Sequence, residues 1–379
     1  MPRRLVTVRR VALVIPIPGA DLVEAATVDG WTCVVKKAEF NVGDLAVYFE
    51  IDSFLPASDE RYSFLKVNTT KQDESEGIRI KTIKLRKVLS QGLLLPLAMF
   101  PEIKGTLDSM QGQHGKEDAE SKIQSMSFED ILGVRKWELP AHEQGLSAAG
   151  LAPFPIFINR TDQERVQNLP NVFQQWGDAV FQESTKMDGS SMTVYFVRND
   201  GTHLDSLPAF AHNEHDKIRS MPNGKVGVCS RNCDIAPDPN NTFWSVALRN
   251  NLPSKLNQLN RNIAIQGELC GSSIQKNFEG FQKGFHDVYL FNVWDIDSQR
   301  YLLPRQVHQE LAPNLGLKHV PVTGYRPLRE VAVDLAGILE RAEGKGINGR
   351  KREGIVLKEV SGGFSFKAIS NSYLLRNGQ

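Results

Sequence analysis

Residues 183–197 read "ESTKMDGSSMTVYFV", and the fold of the chain turns on why Lys186 stands where it does. From Met192 onward the stretch is an apolar, β-branched alternation, the pattern of a buried strand, and Asp188-Gly189-Ser190 is a turn signal in front of it. A lysine at that lip is either a solvated turn residue or a nucleophile that a tight Gly turn aims beside a carboxylate. The stretch alone leaves both readings open.

The chain that follows carries more strands of the same kind. "KVGVCSRN", "IAIQGELCG", "VYLFNVWDI", "EGIVLKEV" and "FSFKAIS" are short and apolar-alternating, most with a charged residue near one end. "PSKLNQLN" and "LREVAVDLAGILERAEGKG" interleave as helices, the second ended by Gly344. In "TDQERVQNL", Thr161 with Glu164 three residues on predicts a capping-box start to a short helix. Residues 154–379 thus read as an α+β domain of mostly antiparallel sheets with flanking helices.

Residues 1–140 read differently, as an all-β module. "VRRVALVIPI", "WTCVVKKAEF", "LAVYFEID" and "IRIKTIKLRKVLSQGLLLPL" are separated by turn-rich pieces, the layout of a small OB-like barrel. Near residues 104–125, "GTLDSMQGQHGKEDAESKIQ" is polar and almost free of large apolar side chains, which predicts a long loop. Residues 141–153, rich in small residues, predict an interdomain linker. Lys84, Arg86 and Lys87 crowd one short span of the barrel, either as a solvated strand face or as a phosphate track.

Composition excludes several classes. A formal net charge of +1 gives no global basic field, so any phosphate must be held by local clusters of Lys and Arg. Of the four cysteines, Cys229 and Cys233 are near neighbours, but no second Cys/His pair completes a zinc site. The N-terminal apolar run is broken by Pro16 and Pro18, so it reads as a strand rather than a signal peptide. No apolar run approaches the roughly 20 residues of a membrane helix. The expectation is an intracellular monomer, cytoplasmic or nuclear, with reduced thiols and no membrane contact.

The charges decide the question Lys186 raises. Lys186 and Asp188, Arg231, Glu268, Glu353 and Lys358, and Lys367 each abut or sit within an apolar strand. Ionised groups are seldom buried unless paired or coordinated. Such groups on separate strands fit a cleft that handles a polyphosphate and a divalent cation: lysines neutralise phosphate oxygens and carboxylates hold Mg²⁺ or its waters. Lys186 is the best placed to attack phosphorus, provided it sheds its proton.

These residues carry a resemblance. "KMDGS" resembles motif I of the covalent nucleotidyltransferases, the superfamily of DNA ligases, RNA ligases and mRNA capping enzymes. "CSRN", "QGELCG", "VWDI", "REGIVLK" and "FKAIS" resemble the family's later motifs, in the family's order. The resemblance implies that Lys186 attacks the α-phosphate of ATP to form lysyl-AMP. AMP then passes to a 5′-phosphate end, and a 3′-OH displaces it to seal the strand. It further implies that Arg231 contacts ribose or the nucleic-acid end, Glu268 the ribose or metal shell, and Glu353 the metal. Asp188 would orient metal water, and Lys358 and Lys367 would hold the α-phosphate. Trp294 stands where the family places its adenine-stacking aromatic, with Phe291 on the opposite strand face. The implied cofactors are ATP and Mg²⁺ or Mn²⁺.

Only about a dozen residues follow Lys367, which favours the branch without a C-terminal domain. That is the Deinococcus-type 3′-OH RNA ligases, with an N-terminal OB module. "GIRIKTIKLRKVLSQGLLLPL", "RTDQERVQN", "GSSIQKN" and "FKAISNSYLL" are similar to that branch too. The implied partner is RNA, or a nicked duplex with RNA on the 3′-OH side. Gln275 and Lys276 in "GSSIQKN", and Lys84 and Arg86, are candidate RNA contacts beside the alternative of solvated loops; Arg160 or Arg165 could touch nucleotide. Two positions depart from the family. Ile369 replaces a second motif V lysine, and Thr185 stands where Glu is frequent, leaving Glu183 as the candidate adenine contact. The alternatives are a capping-like guanylyltransferase and a non-catalytic nucleic-acid-binding relic.

Overall fold

In the computed structural model, which describes residues 3–72, 75–138, 150–208, 210 and 215–377, the chain divides into two compact units. One comprises Met1–Pro140, Glu164–Val172 and Asn371–Gln379, the other Ala141–Gln163 and Phe173–Ser370. The chain therefore returns to the first unit twice, where two consecutive blocks were expected. Most of the predicted linker, residues 141–149, lies outside the described residues. Its end, Leu151–Pro153, is a strand paired with Cys233–Ile235.

The first unit is an OB-like half-barrel organised by one long strand, Val6–Pro16. Its first half pairs with Leu45–Phe49 and its second half with Val23–Val28, both antiparallel. A register shift between Val11 and Leu13 bends the strand so that it can serve both partners. Strands Leu93–Pro96 and Trp31–Lys36 complete the sheet. Val6, Val8, Val47, Phe49, Leu55 and Ile78 fill the core.

The predicted loop at 104–125 is instead two helices, Pro101–His114 and Lys116–Gln124. Pro101 and Glu102 suit the first turn, where a missing N–H costs nothing and a negative charge is favoured. Ile103 with Leu107, and Ala119 with Ile123, recur at four-residue spacing and are buried in the barrel core. Two apolar residues per helix anchor it, and the wet remainder conceals the stripe in the sequence.

The predicted capping-box helix at Thr161 does not form. The Glu164 carboxylate turns forward, accepting from the Arg165 N–H and from Asn168 Nδ2, both at 2.8 Å. Only a 3₁₀ turn, Val166–Asn168, follows. Arg165 itself is buried, its guanidinium 3.6 Å from both Glu50 and Asp52. That environment makes it a strut of the first unit rather than a nucleotide contact.

The second unit is built on two sheets. The larger runs in the order Leu151–Pro153, Cys233–Ile235, Gly224–Cys229, Ser190–Arg198, Ile263–Gly271, His286–Asp295, Arg300–Tyr301. Helices Thr242–Arg249 and Leu252–Leu259 bury Phe243, Trp244 and Leu256 in the same core as Val194, Phe196 and Ile265 of that sheet. The smaller sheet contains, in order, Ser365–Ile369, Gly354–Glu359, Val180–Lys186 and Val322–Pro327. The predicted helix before Gly344 is two short ones, Leu328–Val331 and Leu335–Ala342, the second capped by Asp334.

Met187–Gly189 carries the chain from the smaller sheet into the larger. Gly189 does not adopt a left-handed φ. A Cβ there would collide with the Leu269 carbonyl and lie 2.8 Å from Glu268 Cγ. The chain bends here as the sequence predicts, but what requires glycine is clearance against the neighbouring strand Ile263–Gly271 of the larger sheet rather than a left-handed φ.

Candidate active site

Lys186 is the last residue of its strand, and its register fixes its surroundings. Lys186 pairs with Gly354, Gln182 with Lys358, and Val356 with Lys367. Paired residues share a face and successive residues alternate, so Lys186, Lys358 and Lys367 project from one face of the smaller sheet. The Lys186 ammonium meets Glu353 Oε2 at 2.8 Å. Glu268 comes from the larger sheet, opposite Ser191, and Asp188 from the turn between the sheets.

The electrostatics are those of an anionic centre around one amine. Burial alone would lower the Lys186 pKa, but Glu353, then Glu268 and Asp188, outweigh it and the net shift is upward. Burial pushes Glu268 up to about 8, and the like charges of Glu353 and Asp188 add to that against Lys186 and Arg231. A further carboxylate, Glu279, is buried beside them. It accepts from the Asp188 N–H, and its Oε2 has no hydrogen-bond partner among the described residues.

Such an oxygen-only donor set fits a hard divalent cation. Among the described residues no group of three or more His, Cys, Asp or Glu is arranged to grip an ion directly. Mg²⁺, which keeps several waters, is the kind of ion such spacing suits. Asp188, Glu268 and Glu353 would hold it through those waters.

Lys367 and Arg231 converge on one carboxylate. Asp162 Oδ1 takes Lys367 Nζ at 2.8 Å and its Oδ2 takes an Arg231 guanidinium nitrogen at 3.1 Å. Lys358 is more deeply enclosed, donating to the Phe291 carbonyl and Asn292 Oδ1 at 2.5 Å each. Burial brings its pKa down to about 7.

Two expected nucleotide contacts are corrected. Trp294 shares the strand face of Ala264, Gln266 and Glu268, but Phe154, Phe157 and Ile158 pack over it and its indole N–H donates to the Phe157 carbonyl at 3.0 Å. At 7% exposure it has no face for a base. Glu183 points to the opposite side of its strand from Lys186, fully buried, with its carboxylate on Arg341 at 2.8 and 3.0 Å. Half-buried Phe291 is the site-side aromatic: it occupies a bulge opposite Gln266–Gly267 and lies under the Lys358 ammonium, 5.5 Å from the ring centre.

Gln275 and Lys276 are exposed on the 272–284 loop that also carries Glu279. Lys84 and Arg86 are exposed in the other unit, on a two-stranded hairpin whose turn residues Arg86 and Lys87 both have positive φ. Neither Cys229 nor Cys233 is in a disulfide. The sequence reading misses Asp162 and Glu279, which lie outside the strands, and Asn292, which lies within the strand His286–Asp295. Asp162 stands within "RTDQERVQN" and Glu279 two residues after "GSSIQKN", so both lie in or near stretches already singled out.

Comparison with known proteins places the chain beside RNA ligases. The family description "RNA ligase" matches residues 179–369, and an OB-fold domain family matches residues 5–97. No curated protein matches. Among solved structures, the chain is similar to the RNA ligase of Naegleria gruberi: a mutant with ATP and Mn and a form with PPi each show 39% identity and a TM-score of 0.80. A mutant with AMP and Mn shows 39% identity and a TM-score of 0.81. In all three, 98% of this chain and 98% of that chain are covered.

Proposed function

This chain belongs to the RNA ligase family, and from that premise we propose that it seals 3′-OH/5′-phosphate breaks, with Lys186 as the covalent nucleophile. Lys186 Nζ, once deprotonated, attacks the α-phosphorus of ATP; a phosphoramidate N–P bond forms and pyrophosphate leaves. The 5′-phosphate of the broken strand attacks that phosphorus next, regenerating the amine and leaving AMP linked to the end as a pyrophosphate. The 3′-OH then attacks the 5′-phosphorus, closing the phosphodiester and releasing AMP. A nick in a duplex with RNA on the 3′-OH side is the substrate we favour.

The observation that carries this reading is the Lys186–Glu353 pair at the junction of two sheets, with Glu268 beside it. Glu353 holds the amine in place and keeps it protonated until cationic charge arrives. A bound divalent cation would supply that charge, offsetting the carboxylates and stabilising negative charge that builds on the α-phosphate. Lys367 and Lys358 line the same face for the phosphate oxygens, Arg231 reaches ribose or the nucleic-acid end, and Phe291 offers its ring to adenine. Gln275 and Lys276, and Lys84 and Arg86, are the RNA contacts we assign on the two units.

Incubation with Mg²⁺ and α-labelled ATP or GTP tests the reading. Protein-bound label from ATP that survives alkali, is released by acid as a phosphoramidate is, and is absent in Lys186→Ala is expected. Label from GTP alone would assign a guanylyltransferase, and no label from either would leave a nucleic-acid-binding relic.

A further inference from the structure

Two loops beside Lys186 are pinned together by a single buried carboxylate. Glu279, 2% exposed, accepts from the Asp188 N–H at 3.4 Å on one side and faces the backbone of Gly346 on the other. A Cβ at Gly346 would lie 2.5 Å from Glu279 Oε2, so the 344–351 loop runs directly against this carboxylate. Arg350 reaches back across the gap toward the Asn277 carbonyl at 3.4 Å. The 344–351 loop is itself an ordered turn: Gly346 N–H donates to Arg350 O at 2.7 Å, and Lys345 and Lys351 face one another across a β-bridge.

What these braced loops present to solvent is positive. Lys276 and Lys283 are exposed on the first, and Lys345, Arg350 and Lys351 on the second. Of their acids, Glu279 is buried inside the brace, and Glu343 stands at the foot of the second loop, partly buried. We propose that the two loops form a cationic lip that holds the phosphate backbone of the RNA strand whose 5′ end receives AMP. This rests on the RNA ligase reading above. Cations spread over two loops match a run of backbone phosphates, whereas a triphosphate tail requires charge converging on one point. The brace ties the lip to Asp188, two residues from the nucleophile, so a strand held there is registered against Lys186.

The test uses full-length protein loaded with AMP, with label per molecule measured in the same sample. Loaded wild type and loaded Lys345→Gln/Arg350→Gln/Lys351→Gln are titrated with a fluorescent nicked RNA duplex over a range of salt. The variant is expected to bind tenfold or more weakly near 0.1 M salt. Its log–log salt slope should be shallower by about 2–3, since each phosphate contact contributes about 0.9. Wild-type affinity and slope in the loaded variant would overturn the lip, as would an increased KM for ATP with RNA affinity intact, which assigns these cations to the triphosphate. Wild-type protein that takes no label from ATP would instead overturn the ligase reading itself.

Discussion

The Lys186 ammonium and the Glu353 carboxylate are 2.8 Å apart, and each constrains what the other can do. Glu353 raises the Lys186 pKa against the opposing effect of burial, so in the nucleotide-free chain the amine is the wrong protonation state for attack. Glu353→Gln removes the strongest opposing charge. Its expected result is a split: lysyl-AMP formation falls by two orders of magnitude or more, because a carboxylate that we propose holds the metal is lost. Labelling of Lys186 by an amine-directed reagent at pH 8 rises, because more free amine is present. Mass-spectrometric mapping of both modifications checks this. A fall in both would mean that Glu353 does not govern the amine.

The protonation state of Lys186 also sets the pH dependence of the first step. The reactive form of Lys186 is deprotonated, so its fraction grows about tenfold per pH unit below the pKa and then levels off. Single-turnover adenylation at saturating ATP and Mg²⁺ is expected to climb from pH 6 and reach a plateau on the alkaline side. A flat profile from pH 5 to 9 would show that another step limits the rate.

Asp162 stands where an anion is wanted, between Lys367 and Arg231. Without it, two cations would face each other across a partly enclosed site, and each would swing toward solvent. Asp162→Ala is expected to slow lysyl-AMP formation tenfold or more, with kcat affected more than the KM for ATP. Asp162→Glu should restore part of the loss. A normal rate in the alanine variant would make the bridge incidental to chemistry.

The aromatic residues give an opposed pair of outcomes. Trp294→Ala empties a packed core volume, which typically costs about 3–5 kcal/mol, so thermal unfolding should drop sharply; Trp294→Phe should keep both fold and ATP affinity. Phe291→Ala should leave thermal stability nearly unchanged and raise the KM for ATP severalfold. Loss of ATP affinity in Trp294→Phe with Phe291→Ala unaffected would reverse the assignment.

How far the sequence reaches is visible in these same residues. Lys186, Glu353, Lys358 and Lys367 were legible because each sits in or beside a strand, where a period of two fixes its face and its partners. Trp294 was assigned to the right face, but its cover comes from residues 154–158, far away in sequence, and no local pattern shows one segment folding over another. Phe291 sits at a bulge that breaks the count. Asp162 and Glu279 act from irregular segments, where no periodicity says which way a side chain points. The helices at 101–124 were hidden because two buried residues each suffice to anchor them. The half-barrel and the antiparallel sheets, which rest on strong alternation, came through.

Away from the cleft, Asp234 offers a pH test of stability. It is fully buried, accepts from the Tyr195 hydroxyl at 2.5 Å, and burial pushes its pKa up to about 6 from an ordinary value near 3.8. A carboxyl whose folded pKa is raised holds its proton more tightly when folded than unfolded. Its contribution is therefore fully present below about pH 4 and is lost as pH rises through about 6. The shift corresponds to roughly 3 kcal/mol, reduced by whatever relaxation the ionised form finds near Arg219, 3.9 Å away. Asp234→Asn, which can still accept from Tyr195, should lack this component. Denaturant unfolding of the two proteins between pH 4 and 7.5 should show the variant gaining on wild type as pH rises. Parallel stability curves would mean that Asp234 is already ionised, and held by Arg219, at the acid end of the range.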